Sequence, residues 1–274
     1  MASTNTIIKD IEEQKVGNSG KRVLLVEGSD DVQAISAFLN KRKPEWERNW
    51  IVAEAKGKTN VLEILKQKPD WLGIVDRDDW SEERIAEQCL HRLQGNSNLW
   101  VLPRFCIENY LIVPAELWAA FPPKQQVKVN GGLPELETKI TSELDKWVAH
   151  GVLWSVVNPL WEGLRSLGFK EKLLDPGIIQ DEEKIRKTLE EWHDFLDPDQ
   201  IWEQYATKLD EVTPLDPNEK LKLWVHGKMF YKQVINPLLD QLLGQKSAQD
   251  RKKSIFRTLP VPEEFGELFG KMEI

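Results

Sequence analysis

The chain has 274 residues, of which 41% are hydrophobic and 30% charged, and its formal net charge is -8. That balance fits a folded protein of one large domain or a domain with an appendage, and it excludes a general nucleic-acid coat, whose affinity would come from a basic surface neutralising phosphates. Two cysteines, Cys89 and Cys106, exclude a multi-bridge disulfide framework and a four-thiolate zinc site. Residues 1–20 are polar and mixed in charge, and read as an N-terminal extension without the apolar centre of a secretion signal. Residues 22–27, RVLLVE, form a short apolar run of the kind found in a strand buried on both faces. Gly28 and Ser29 make the turn, with Gly28 allowing it to be tight, and Ser29 or Asp30 caps a helix carrying Val32, Ile35, Phe38 and Leu39. A second strand is predicted at 50–53. Asn60 and Glu63 have capping-box spacing ahead of a helix with Val61, Leu62 and Leu65. A third strand is predicted at 71–75, ending at Asp76, then a helix at 81–93, then a fourth strand at 99–102 stopped by Pro103.

Strands alternating with helices imply parallel βαβ units, here over 21–122. Beyond the proline pair and glycine pair that bracket 122–132, residues 133–274 read as mainly helical. One stripe is Leu136, Ile140, Leu144, Trp147 and Val148. A second is Ile185, Leu189, Trp192 and Leu196. A third is Phe230, Val234, Leu238 and Leu242, with Pro237 expected to kink it. The twelve tryptophans run from Trp46 to Trp224, and core packing is their default role. No apolar run is long enough to span a bilayer, so a cytoplasmic location without a membrane partner is expected.

In a parallel sheet, ligands bind beyond the carboxyl ends of the strands. Glu27 and Asp76 each end an apolar run and should project at the same rim. Asp31 lies one helical turn past Glu27, and Asp78 and Asp79 closely follow Asp76. Capping and solubility explain Asp30 and Asp79 taken alone. Four carboxylates meeting in one space repel one another unless a cation compensates, and a hard divalent ion does so well. Mg²⁺ or Mn²⁺, as one or two ions, is the expected cofactor. The four histidines, His91, His150, His193 and His226, are scattered and form no competing ligand set. The basic stretches at 41–43 and 251–253, and Lys124 with Lys128, read as solvated surface.

These residues resemble a known family. VLLVEGSDD is similar to the first Toprim motif, a strand followed by Glu-Gly-x-x-Asp, and GIVDRDDW to the second, a strand followed by Asp-x-Asp. RFCIENYLI resembles a third element of the overcoming-lysogenization-defect-type nucleases and of stand-alone Toprim effectors that work beside ABC-type ATPases in phage defence. WVHGKMFYKQVI resembles their Gly-Lys helix start. The resemblance covers the first 115 residues and the region near Lys228. It implies a Toprim-like α/β fold with a parallel sheet and a metal-dependent endonuclease acting on RNA or DNA. Asp76 and Asp78 would bind metal, Glu27 would be a ligand or general acid/base, and Asp31 would bind or orient a metal water. Glu108 would support a second metal, and Lys228 would offset charge at the scissile phosphate. Asn109 and Tyr110 would be packing or hydrogen-bonding supports. The chain has no Walker A pattern, so an ATPase partner would be a separate chain. Self-association stays open.

Other readings fit less well. A topoisomerase needs a nucleophilic tyrosine, and Tyr110, Tyr205 and Tyr231 have no recognisable setting; a primase usually carries a zinc module. A receiver domain wants Ser or Thr ending the fourth strand, where this chain has Val101, Leu102 and Pro103. A haloacid-dehalogenase-like phosphatase puts its Asp-x-Asp after the first strand. The alternative that stands is a catalytically quiet Toprim subunit that binds and regulates a partner ATPase.

Overall fold

The structure is a computed structural model that describes residues 3–90, 98–169 and 181–274. Its first half alternates α1 (Thr4–Ile11), β1 (Arg22–Val26), α2 (Ser29–Arg42), β2 (Trp50–Glu54), α3 (Lys58–Gln67), β3 (Leu72–Val75), α4 (Glu82–Leu90) and β4 (Leu99–Val101). The four strands form one parallel sheet in the order β2-β1-β3-β4. After a 3₁₀ turn at Ile107–Leu111 the chain is helical: α5 (Pro114–Ala120), α6 (Pro123–Gln126), α7 (Gly132–Thr141), α8 (Leu144–Ser166), α9 (Glu182–Phe195), α10 (Pro198–Val212), α11 (Pro217–Leu223), α12 (Gly227–Phe230), α13 (Asn236–Leu243), α14 (Ala248–Thr258) and α15 (Gly266–Met272). The protein is therefore an α/β fold, a parallel-sheet domain with a mainly helical C-terminal region, consistent with the Toprim-like form that the resemblance implies.

Successive strand residues point to opposite faces, and both faces are buried. Leu24 and Val26 face one core with α2, the 107–111 turn and the C-terminal helices, while Val23 and Leu25 face another with α1 and α3. The N-terminal stretch expected as an extension thus contributes Ile7, Ile8 and Ile11 to the second core. Gly73 lets α3 approach β3, since a Cβ there would come within 2.8 Å of side-chain atoms of both Leu65 and Val61. The composition change at 122–132 is not a break in packing, because Val129 and Leu136 lie in the same core as Leu24 and Phe265.

Several local expectations give way to tertiary contacts. The cap of α2 is Gly28, not Ser29 or Asp30; Gly28 N–H donates to Asp31 Oδ2 at 2.8 Å. The φ of Gly28 is -143°, extended backbone open to any residue, so the turn does not require glycine. Helix α3 starts at Lys58, and Asn60 sits inside its first turn rather than capping it. The Asn60 amide is drawn away by the Ala55 carbonyl, to which it donates at 2.9 Å, and Glu63 pairs with Lys66 instead of closing a box. Near Pro237, a π-helical turn at Tyr231–Ile235 widens the coil, with Asn236 N–H reaching back to Tyr231 O. Residues 91–93 of the helix predicted at 81–93, including His91, lie outside the described residues.

Among the stripes, Leu136, Ile140, Leu144, Trp147 and Val148 are buried, although they divide between α7 and α8. The 185–196 stripe is not a core stripe: Leu189 is 47% and Leu196 38% exposed, and Thr188 is the buried residue of α9. Trp161 and Trp202, at 56% and 65% exposure, likewise leave the core-packing expectation that Trp46, Trp50, Trp71, Trp80, Trp100 and Trp147 meet. Among the described residues no helix is long and apolar enough to cross a membrane.

Candidate metal centre

Because β1 and β3 are neighbours in a parallel sheet, Glu27 and Asp76, each one residue past its strand, leave the same rim side by side. Glu27 Oε1 accepts from Asp76 N–H at 2.8 Å, which ties the two strand ends together. Asp76 is 2% exposed; its Oδ1 accepts from Ile107 N–H at 3.2 Å, and its Oδ2 lies 2.9 Å from Lys228 Nζ. Asp78 is turned into the group by left-handed backbone, φ 51°, a region that Asp tolerates better than most residues. Its N–H donates to Phe105 O at 2.8 Å, and its Oδ2 lies 2.6 Å from Lys58 Nζ. Asp31 is 8% exposed at the start of α2.

Glu108 enters from the 107–111 turn and is 1% exposed. Its Oε1 lies 2.8 Å from Lys252 Nζ, which also lies 2.9 Å from Asp30 Oδ2. Its Oε2 stands 3.2 Å from the Cys106 thiol, a donor shared with Asn109 Oδ1 at 3.0 Å. Asn109 is the expected support: its amide donates to Leu221 O at 2.7 Å and Val225 O at 2.9 Å, binding the turn to the segment that leads into α12. A Cβ on Gly227 would fall 2.2 Å from Asn109 Oδ1, so glycine is what lets α12 bring Lys228 to Asp76. Tyr110 is fully buried, with the Arg104 guanidinium 3.9 Å from its ring centroid.

The electrostatics are those of crowded anions. Burial, with repulsion from Asp76 next, pushes Glu27 up to about 7, against the pull of Lys58. Burial, then Asp76, holds Asp31 well above the usual carboxylate range. Burial raises Asp76 to about 6, and outweighs Lys228. On the cationic side, burial opposes the charge of Lys228 and of Lys252, yet Asp76 and Glu108 respectively overcome it, so both ammonium groups are raised. Burial lowers His226.

Among the described residues, no group of three carboxylate, imidazole or thiol side chains is arranged to hold a metal as it stands. Three ammonium groups sit instead against the carboxylates: Lys58 on Asp78, Lys228 on Asp76, and Lys252 on Asp30 and Glu108. The donor chemistry nonetheless suits a hard divalent ion on the side of Glu27, Asp76 and Asp78. It consists of carboxylate oxygens, and for Glu27 and Asp76 burial first, with repulsion between neighbouring carboxylates adding to it, disfavours the charged form that a divalent ion would stabilise. All the predicted site residues, Glu27, Asp31, Asp76, Asp78, Glu108 and Lys228, line this rim.

Lys58, Lys252 and Asp30 were not singled out from the sequence as site residues. Lys252 lay in a basic run read as surface, and 222 positions separate it from Asp30. No protein-family model matches the chain, and no curated protein matches it.

Proposed function

We propose that this chain is a metal-dependent endonuclease of the Toprim type that hydrolyses phosphodiester bonds in RNA or DNA. The observation that carries this reading is the meeting of Glu27, Asp76 and Asp78 at one sheet rim, two of them with raised proton affinity, beside the half-exposed Lys228. Glu27, Asp76 and Asp78, with Asp31 behind them, would hold Mg²⁺ or Mn²⁺. When bound, the ion supplies Lewis-acid polarisation of a phosphoryl oxygen and a more acidic water. The chain's own groups do the rest. Lys228, at 49% side-chain exposure, can leave Asp76 for a phosphate oxygen and offset charge developing there. As the alternative to ligating the ion, Glu27, which burial pushes up to about 7, can take a proton from water and return it to the leaving oxygen. In keeping with the resemblance, we place the enzyme in the cytoplasm as a regulated defence effector whose partner is a separate ABC-type ATPase.

The test is cleavage of single- and double-stranded DNA and RNA by the purified chain with Mg²⁺ or Mn²⁺, alone and with any ATPase that co-purifies with it. Cleavage is expected to need the ion and to fall at least about 100-fold in Asp76→Ala with folding intact. Full activity in that variant overturns the reading. One observation favours a second reading, a quiet subunit that docks an ATPase: the carboxylates already have lysine partners. Failure of the wild-type chain to bind Mn²⁺ in a calorimetric titration would select it.

A further inference from the structure

The rim carboxylates fall into two halves that hold their lysines differently. In the first half each lysine meets one carboxylate among the described ion pairs: Lys228 Nζ meets Asp76, with its side chain 49% exposed, and Lys58 Nζ meets Asp78, with its side chain 16% exposed. In the second half, Lys252 Nζ meets two carboxylates, Glu108 Oε1 at 2.8 Å and Asp30 Oδ2 at 2.9 Å, and its side chain is 15% exposed. Its ammonium also stands 5.2 Å from the centroid of the Tyr231 ring, within cation–π range. Both oxygens of Glu108 are thereby engaged, one by Lys252 and the other by the Cys106 thiol.

The carrier of Lys252 is fixed as well. Helix α14 packs against α2, with Ile255 and Phe256 in the core. The neighbouring Arg251 side chain donates to Gly244 O at 2.6 Å and pairs with Asp240. A divalent ion at Glu108 would have to expel a partly buried, doubly paired ammonium carried by a packed helix. An ion at Asp76 has to displace only the half-exposed Lys228, and at Asp78 a lysine held by one carboxylate rather than two.

We propose that Lys252 is a built-in cation at Glu108, the carboxylate where the resemblance implies a second ion, so that the chain takes a single divalent ion, on the side of Glu27, Asp76 and Asp78. This inference rests on the metal-dependent reading above. An ammonium at Glu108 and Asp30 can neutralise charge and hold a phosphate oxygen, but it has no open coordination position from which to acidify a water.

Counting Mn²⁺ bound to the full chain, by calorimetry and by the electron paramagnetic resonance signal of free Mn²⁺, tests this directly. One ion per wild-type chain is expected. Lys252→Met keeps the stem and leaves Asp30 and Glu108 uncompensated, so it should gain a second ion, while Lys252→Arg stays at one. A second ion in the wild type, or a folded Lys252→Met still at one, overturns the inference and leaves the metal reading intact. No ion in the wild type overturns the metal reading itself. Should Lys252→Met fail to fold, Glu108→Gln decides: Mn²⁺ affinity should stay within about twofold, whereas a tenfold or larger loss, as for a group that ligates the metal or orients its ligands, would overturn the inference.

Discussion

Two helical stretches look alike as sequence and behave differently in space. The C-terminal stretch from α12 to α15 returns to the sheet, buries Phe230, Phe256, Phe265 and Phe269, and delivers Lys228 and Lys252 to the rim. The stretch from the end of α8 through α10 leaves Trp161, Leu189, Leu196 and Trp202 exposed. Both carry apolar residues at helical spacing. Periodicity shows that a helix has an apolar face, but what that face meets is set by contacts far along the chain. In this protein the returning stretch supplies Lys228 and Lys252 to the candidate site, and the other supplies none of the rim residues named above.

The strongest way to break that contrast is to cut the tie that holds the returning stretch. Arg104, 3% exposed just past β4, donates to the Glu264 carboxylate at 3.0–3.2 Å and to both Glu116 oxygens at 2.6 and 2.9 Å. One guanidinium thus joins the sheet, α5 and the C-terminal segment. Arg104→Ala leaves two partly buried carboxylates facing each other, with Lys222, 3.9 Å from Glu116, as their remaining cation among the described ion pairs. We expect a loss of about 3–5 kcal/mol in urea unfolding, the range for breaking a buried pair from one side. A loss below about 1 kcal/mol would mean that the tie is superficial and that apolar packing alone holds the C-terminal helices in place.

A smaller effect concerns charge at the rim itself. The pKa of Glu27 is raised from 4.5 to about 7 in the folded chain, so the folded state holds this proton more tightly than the unfolded state. The stability this contributes is fully present below about pH 4.5 and is lost as pH rises through about 7. Glu27→Gln retains an oxygen that can accept from Asp76 N–H and removes the ionisation. In a chelator it should be more stable than wild type at pH 8, by on the order of 2 kcal/mol and several degrees in Tm, and no more stable at pH 4.5. Added Mg²⁺ at pH 8 should raise the wild-type Tm and leave the variant nearly unmoved. Equal Tm values for variant and wild type at pH 8 would show that the rim carries no uncompensated charge at Glu27.

These residues also show which parts of the site were legible. Glu27 and Asp76 could be found because a strand buried on both faces must be an apolar run, and the first charge after such a run marks the rim. Asp31 and Asp78 follow by short spacing. Lys58 and Lys252 could not be found this way. Their meaning depends on partners 20 and 144 positions away, Asp78 and Glu108, and a lysine beside a helix start or in a basic run has an ordinary role as solvated surface. Asn60 illustrates the reverse error. Its spacing to Glu63 suggests a local cap, but the helix already begins at Lys58, and Asn60, inside the first turn, donates its Nδ2–H back to Ala55 O just past β2.

The smallest expected effect sharpens the contrast from the other side. Leu189 and Trp202, at 47% and 65% exposure, sit on helices whose sequence resembles that of core helices. If their apolar faces are unpartnered, changing them removes little buried area, because only the share of surface already withdrawn from water contributes to stability. Leu189→Ser and Trp202→Ser should each shift unfolding free energy by no more than about 0.5 kcal/mol, as surface substitutions usually do. The matched change in the returning stretch, Phe256→Ala at 1% exposure, should cost about 3–5 kcal/mol. A Leu189 or Trp202 variant as costly as Phe256→Ala would mean that the 182–212 helices are buried in solution, with the two stretches alike in space as they are in pattern.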